Sequence, residues 1–415
     1  MKIIYRDIIT IAKKHLATDE ILLFTGARQT GKTTILKYLE QKLTRNGEKT
    51  FFLNLEDPDY LYDLNQNPKN LLRIIPVDLK ILNYVFIDEI QYLANPTNFL
   101  KYLYDEYAGR IKLIVSGSSA FYLDKKFKDS LVGRKMLLPV RTLSFRELLR
   151  FREAEDLMAL LPEKYDPDNY RFADRIAVQQ REKLKDHYLE YLRYGGYPKV
   201  ALASVSEKTA LIQELAYSYI KKDVFEANIR QDEIFYRLFK ILAGQTGGLV
   251  NLNELSNTLA ISRKAIANYL YVMQKSYHII LIRPFFRNTR KELTKMPKVY
   301  FYDLGLRNFF VNNFESVLSR RDRGELLENG VIRQFIDRAD QRAGDRVKYW
   351  RSKSGAEVDV VFDEQAAFET KFDAGQFSEN KYRAFSAAYP EIKINIVAYS
   401  GRRVTGYPIW DPWLI

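Results

Sequence analysis

The sequence contains no cysteine and only three histidines, His15, His187 and His278, among 415 residues. The first absence removes disulfides, thiolate nucleophiles and cysteine-bound zinc, and fits a reducing compartment. Three scattered histidines offer no imidazole metal site. Acid is also in short supply. Asp and Glu number 52 against 65 Lys and Arg, which leaves a formal charge of +13 and a pI near 9.4. Such an excess suggests an anionic partner, although surplus lysine can equally maintain solubility. No uninterrupted apolar run approaches membrane-spanning length. Arg6, Asp7, Lys13 and Lys14 interrupt any signal-peptide core at the amino terminus. The expected protein is soluble and cytoplasmic, with no membrane partner.

Hydrophobic residues at 47% and aromatics at 14% are ample for folded domains. The length exceeds one compact core, so roughly two to four domains are expected.

One stretch organises the rest. Gly26-Ala27-Arg28-Gln29-Thr30-Gly31-Lys32-Thr33-Thr34 fits G-x-x-x-x-G-K-[ST] at every fixed position. The apolar run Ile21–Phe24 before it reads as a buried strand. Thr33–Leu43 after it reads as a helix, with Ile35, Leu36, Leu39 and Leu43 at helical spacing. Strand, glycine-rich loop and helix together make a P-loop. Gly26 and Gly31 allow the loop N–H groups to surround a phosphate, and the helix N-terminus adds its dipole. Lys32 is expected to reach the β- and γ-phosphates of ATP, and the Thr33 hydroxyl to ligate Mg²⁺.

Asn46-Gly47 marks a turn, and a second strand, Thr50–Leu55, ends in the polar Glu56-Asp57. The third, Tyr84–Ile87, ends in Asp88-Glu89, an apolar run closed by two acids in the Walker B manner. Asp88 is expected in the Mg²⁺ shell, and Glu89 to polarise the attacking water. A fourth strand, Lys112–Val115, runs into Ser116-Gly117-Ser118-Ser119, where Ser116 or Ser118 could sense the γ-phosphate. Arg134, after Gly133, is open between an arginine finger, an intramolecular sensor and a surface partner for an acid.

In combination, Thr25–Thr33, Phe86-Ile87-Asp88-Glu89-Ile90-Gln91, Ser116–Ser119, Gly133-Arg134 and Leu143-Ser144-Phe145 resemble prokaryotic AAA+-type P-loop ATPases. These carry a C-terminal domain related to restriction endonucleases. Tyr194-Gly195-Gly196-Tyr197-Pro198 and Lys222-Asp223-Val224 extend the resemblance through mid-chain, so it covers nearly the whole sequence. It implies a multidomain α/β protein. The expected parts are a P-loop AAA+-type parallel sheet over 1–150, a helical lid or connector over 151–235, a winged helix over 236–312 and a restriction-endonuclease-like α/β domain over 313–415.

The residues of the last two segments support their own reading. Leu252–Leu259 and Arg263–Ser276 form a helix–turn–helix pattern with Ser262 as the second N-cap. Two strands, Ile279–Arg283 and Lys298–Tyr302, flank a basic loop. Arg263, Lys264, Asn268 and Lys275 would face a DNA groove, with Arg290 and Lys291 of the loop on phosphates. The alternative is a module that packs against the ATPase or another subunit.

Further on, Leu326–Ile336 reads as a helix preceded by Glu325 and carrying Glu328. Ala356–Phe362 and Ala366–Phe372 read as strands of a hairpin. Strand alternation puts Glu357 and Asp359 on one face, and Glu369 with Lys371 on one face. This D…E-x-K set would place Asp359, Glu369 and Glu328 around Mg²⁺, with Lys371 steadying the hydroxide or phosphate. A solvated charged face, or DNA binding without cleavage, would use the same residues. Three functions stay open: a DNA-binding ATPase switch, an ATP-regulated Mg²⁺-dependent nuclease, and a protein-binding signalling ATPase. A homo-oligomer or a partner protein is compatible with each.

Overall fold

A computed structural model describes residues 3–117, 131, 133–163, 166, 169–226, 229, 231–339, 346–401 and 404–415. The chain divides into two compact units. The first comprises residues 1–141 with 225–228 and 271–277, and the second holds the remainder.

The first unit is built on five parallel strands, β1 (Ile21–Thr25), β2 (Lys49–Asn54), β3 (Asn83–Asp88), β4 (Ile111–Gly117) and β5 (Lys135–Pro139), in the order β2-β3-β4-β1-β5. Alternation along β1 serves both faces. Leu22 and Phe24 pack with Ile35, Leu36 and Leu39 of the helix Lys32–Arg45, while Ile21 and Leu23 pack with Phe99, Leu100 and Leu103 of the helix Pro96–Tyr107. A strand buried on both sides must be apolar throughout, which is why β1 and β3 read as continuous hydrophobic runs. The order carries the functional consequence. Because β4 is inserted between β1 and β3, the carboxyl ends of these three strands lie side by side, and a ligand held there meets residues from all three.

The second unit contains the helices Phe145–Phe151 and Val178–Tyr194, then the helix Asp232–Gly244. A helix–turn–helix pair, Leu252–Leu259 and Arg263–Lys275, follows. Its second helix is begun by Ser262, whose Oγ accepts from the Ala265 N–H at 3.2 Å. Only Arg263–Leu270 of that helix falls in the second unit. Antiparallel β6 (Ile279–Ile282) and β7 (Lys298–Phe301) come next, and the loop between them carries a short helix, Thr289–Thr294.

The C-terminal sheet has the order β12-β11-β10-β9-β8, with β8 (Val347–Arg351), β9 (Glu357–Phe362) and β10 (Ala366–Asp373) antiparallel. To these are added β11 (Lys393–Ser400) and β12 (Ile409–Trp410), parallel to β10 and to each other. The β9–β10 hairpin turns through Asp363 and Glu364, both at positive φ (51° and 59°), as a tight turn of right-twisted strands requires.

The expected boundaries at 150, 235 and 312 are not breaks in packing. The first unit ends at Arg141, and everything expected as lid, winged helix and C-terminal domain is placed in the second unit apart from 225–228 and 271–277. The physical reason is a shared core. Ile280, Ile282 and Tyr300 of the β6–β7 hairpin are buried with Val331, Ile332 and Phe335 of the helix Arg323–Arg338, and with Val360 and Phe368 of the C-terminal sheet. The Tyr194–Pro198 turn serves that packing. Gly195 sits at φ +74°, and a Cβ there would lie 2.3 Å from Asp303 Oδ1. The Gly196 N–H donates to Asp303 at 2.8 Å, so this turn has a packing role. No described helix is long and apolar enough to cross a membrane.

Candidate functional site

At the end of β1 the chain turns at Gly26, where an added Cβ would lie 2.0 Å from the Val140 carbonyl oxygen, so no side chain fits. Gln29 (φ 54°) and Gly31 (φ 96°) take left-handed conformations that curl the loop back over the helix Lys32–Arg45. Gly31 is that helix's N-cap and supplies no side-chain cap. The first-turn N–H groups are therefore left for a ligand, and an anion suits them by charge and by hydrogen bonding. Lys32, 5% exposed, donates from Nζ to the carbonyls of Gly26 (3.0 Å) and Ala27 (2.9 Å). Thr30 Oγ1 donates to Ala27 O, and Arg6 bridges Thr30 O and Arg141 O at 2.7 and 2.8 Å. Thr33 is half-buried in the first turn, and Arg28, Gln29 and Thr34 line the more open side.

Asp88 closes β3 and is 2% exposed. Its Oδ1 accepts from Ser116 Oγ on β4, and the same hydroxyl accepts from the Glu89 N–H at 3.1 Å. One hydroxyl uses its donor and an acceptor pair to lock both Walker B residues. Glu89 stands at φ 58°, unusual for a non-glycine residue, and its carboxylate accepts from Gln91 Nε2. Of the two serines proposed as sensors, Ser116 is placed against both acids, whereas Ser118 lies outside the described residues. Gln91 and Arg6 carry no expected role at this site in the sequence. A glutamine two residues past Walker B and an arginine in the leading segment give no local signal of their contacts. Ser116→Ala removes a shared partner from a buried carboxylate and an amide. It is expected to lower ATP turnover about tenfold and stability by about 1–2 kcal/mol, read by steady-state hydrolysis and urea melts.

Arg134 is placed elsewhere. Its carbonyl accepts from the Ile21 N–H at the start of β1, roughly 13 Å of strand away from the P-loop edge. Its guanidinium pairs with Asp105 at 2.9 Å, with both side chains about a third exposed. Of the three readings left open for Arg134, this placement matches the surface partner for an acid.

In the second unit, Asp359, Glu328, Glu369 and Lys371 do converge, but not around a common metal position. Glu369 pairs with Lys371, while Asp359 Oδ2 accepts from the Thr370 N–H across the hairpin at 2.8 Å. Glu328, Glu357 and Asp359 instead surround Lys298 Nζ, with Glu328 at 3.2 Å, Asp359 at 3.9 Å and Glu357 in closer contact. Tyr300 OH donates to Glu328 at 2.5 Å. Among the described residues no three carboxylate or imidazole groups are disposed to hold a metal ion. The expected Glu328–Asp359–Glu369 metal set is thus corrected, because Glu328 and Asp359 turn to the buried Lys298 ammonium while Glu369 pairs with Lys371. Burial raises the Asp359 carboxyl well above its ordinary range, helped by the charges of Glu328 and Glu369. Burial also raises Glu369, against Lys371. Desolvation opposes the Lys298 ammonium, but Glu328, Tyr300, Asp359 and Glu357 outweigh it and hold its pKa well above the usual lysine value. The cluster opens into a cavity of about 460 Å³ that Arg321 and Arg323 also line.

On the helix–turn–helix pair, Arg263, Lys264 and Asn268 are exposed, with Arg263 donating to Asn253 Oδ1 at 3.0 Å. Lys275 is half-buried over the Tyr271 ring in the first unit. Arg290 is exposed in the hairpin loop, and the Lys291 side chain lies outside the described residues. The hairpin itself docks on the C-terminal sheet. Pro284 bridges to Tyr349, Lys348 pairs with Glu292 at 3.0 Å, and Arg287 pairs with Glu391 at 2.7 Å.

A family profile described as "AAA domain" matches residues 18–149, the segment that holds the glycine loop, both acids and Ser116. By this match, residues 18–149 are similar to AAA domains. Further along, matches to two profiles described as domains of unknown function cover 185–316 (DUF8612) and 323–409 (DUF4143). The uncharacterized protein MJ1544 of Methanocaldococcus jannaschii is 25% identical over 412 residues, covering 95% of this chain and 84% of its own length. An uncharacterized protein of Haemophilus influenzae is 24% identical over 332 residues, covering 77% of this chain and 75% of its own. Among solved structures, the Thermotoga maritima RuvB Holliday junction branch migration motor is 15% identical at a TM-score of 0.35, covering 70% of this chain and 95% of its own. The AMPPCP-bound DnaA of Aquifex aeolicus is 14% identical at a TM-score of 0.29, covering 65% and 89%.

Proposed function

We propose that this chain is an ATP-hydrolysing AAA+-type switch whose nucleotide state governs a DNA-binding winged helix and a nuclease-like C-terminal module. The observation that carries the ATPase reading is the set Asp88–Ser116–Glu89, locked by one hydroxyl at the ends of β3 and β4. These ends lie on the same edge as the P-loop. The loop N–H groups and Lys32 would bind the phosphates, Thr33 and Asp88 would hold Mg²⁺, and Glu89 would polarise the attacking water. The uncapped helix start and the Gly26 cradle fit a polyphosphate, and the carboxylate of Asp88 with the hydroxyl of Thr33 is the kind of oxygen donor set that suits a hard cation. The Mg²⁺ would neutralise charge building on the transferred phosphoryl group. Glu89→Gln should keep ATP affinity within about twofold and cut turnover by about 10²-fold or more. Turnover unchanged in Glu89→Gln would remove that residue from the chemistry.

The winged-helix reading is supported by the exposed Arg263, Lys264 and Asn268 beginning the second helix of the pair, and by the β6–β7 hairpin behind it. Duplex DNA binding is expected to weaken steeply with salt. Arg263→Ala and Lys264→Ala should each lower the log–log salt slope by about one where the side chain contacts a phosphate. The docking of the hairpin on β8 favours the alternative, a scaffold that binds protein, and a flat salt response would select it. The nuclease-like reading is supported by the run of helix Arg323–Arg338, antiparallel β8–β9–β10, helix Arg383–Ala388 and parallel β11, with Asp359, Glu369 and Lys371 at its centre.

A further inference from the structure

Lys298 is the most unusual charged residue of the second unit. It begins β7, where a lysine would ordinarily reach solvent, yet it is 2% exposed. Its ammonium stands among three carboxylates from two segments: Glu328 of the helix Arg323–Arg338 at 3.2 Å, and Asp359 at 3.9 Å with Glu357 at closer range, both of β9. Glu328 is fixed further by Tyr300 OH, and Asp359 by the Thr370 N–H. A buried ammonium needs such company, because an uncompensated charge out of water is very costly.

These three carboxylates converge on a single point, and that point is the Lys298 nitrogen. The neighbouring charges are internally paired as well: Lys371 with Glu369 and Arg351 with Glu357, while Arg321, Arg323 and Glu325 line the adjoining cavity with Glu328 and Asp359. A divalent cation placed here would have to displace the buried Lys298 ammonium from its three carboxylate partners.

We propose that Lys298 is a built-in cation that occupies the metal position of the C-terminal module, so that the module binds no divalent ion and does not carry out metal-dependent hydrolysis. This rests on the nuclease-like reading of that module and narrows it: the pocket recognises rather than cuts. Lys298 is thereby a positioning residue. It holds Glu328, Glu357 and Asp359 together, and it ties the β6–β7 hairpin to the C-terminal sheet.

The test is Mn²⁺ binding to the full chain without nucleotide, by calorimetry and by electron paramagnetic resonance. An Asp88→Asn background silences the P-loop metal. The expected result is no specific Mn²⁺ in Asp88→Asn, and one equivalent gained, with a dissociation constant below about 1 mM, on adding Lys298→Gln. That gain should be lost again on adding Asp359→Asn. One equivalent already bound in Asp88→Asn and lost with Asp359→Asn would overturn the role of Lys298 while leaving the nuclease-like reading intact. No binding in Asp88→Asn or in its folded Lys298→Gln derivative would overturn both, since the carboxylates would then not be a metal position at all. Lys298→Met, which keeps the stem length, replaces Lys298→Gln if the latter does not melt cooperatively.

Discussion

Lys32→Ala is expected to lower kcat/KM for ATP by about 10²–10³-fold, the loss typical of removing a preorganised cation from a developing phosphoryl charge. The structure separates this chemical effect from a structural one. Lys32 Nζ donates to the carbonyls of Gly26 and Ala27, so its removal also loosens the loop. Those carbonyls border a ligand site where water can replace the ammonium, and each such bond is worth about 1 kcal/mol net. A melting transition within about 1 kcal/mol of the parent, together with weakened fluorescent-nucleotide binding, is the pattern for a phosphate ligand. Lys32→Arg keeps the charge but cannot place it as a compact point, and should recover little activity. If Lys32→Ala hydrolysed ATP at the parental rate, the glycine loop would be a structural turn and the ATPase reading would fall with it.

Much of that site was legible because its signals are local. Gly26, Gly31, Lys32 and Thr33 are adjacent in sequence, and Asp88-Glu89 announce themselves by ending an apolar strand. The choice between Ser116 and Ser118 was not legible. It depends on β4 being inserted between β1 and β3, an order that no single segment encodes. Arg134 shows the converse. Its position after Gly133 suggests a sensor, but register with Ile21 puts it at the amino edge of the sheet, where it pairs with Asp105.

The C-terminal cluster was half legible for the same reason. Period-two alternation placed Glu357 with Asp359, and Glu369 with Lys371, and the hairpin register between Phe368 and Val360 agrees with it. Nothing near Lys298 signals burial, because the acids around it arrive about 30 and 60 residues later in the chain. The expected boundaries at 235 and 312 do not divide the packing, for a related reason. Apolar residues of the β6–β7 hairpin look like a small module's own core, yet Tyr300 and Ile282 are covered by the helix Arg323–Arg338 and the last sheet.

That merged packing puts a second cluster of charge at risk. Asp322, just before the helix Arg323–Arg338, accepts two bonds from Arg320 at 2.8 and 2.7 Å and one from Arg307. Arg307 and Arg320 are 2% and 3% exposed, and Arg307 also reaches Thr246 Oγ1 at 3.2 Å. Asp322→Ala strands two buried guanidinium groups beside each other. It should cost about 3 kcal/mol, the low end for breaking such a set because Asp322 itself keeps some access to water. The melting temperature should fall on the order of 6–10 °C. Asp322→Asn retains the shape but not the charge, and it makes the cause testable by pH. Burial alone would raise the Asp322 carboxyl, but hydrogen bonds from Arg320 and Arg307 outweigh it and hold the group well below the usual carboxylate range. A depressed folded value stabilises the native state fully above the unfolded carboxyl pKa of about 4, and that contribution is lost as pH falls toward the folded value. The stability gap between the parent and Asp322→Asn should therefore be widest near neutrality and narrow steadily from pH 4 downward in urea melts. A gap that stayed constant from pH 7 to pH 2 would mean that the side chain's shape, rather than its charge between two arginines, holds this corner of the second unit together.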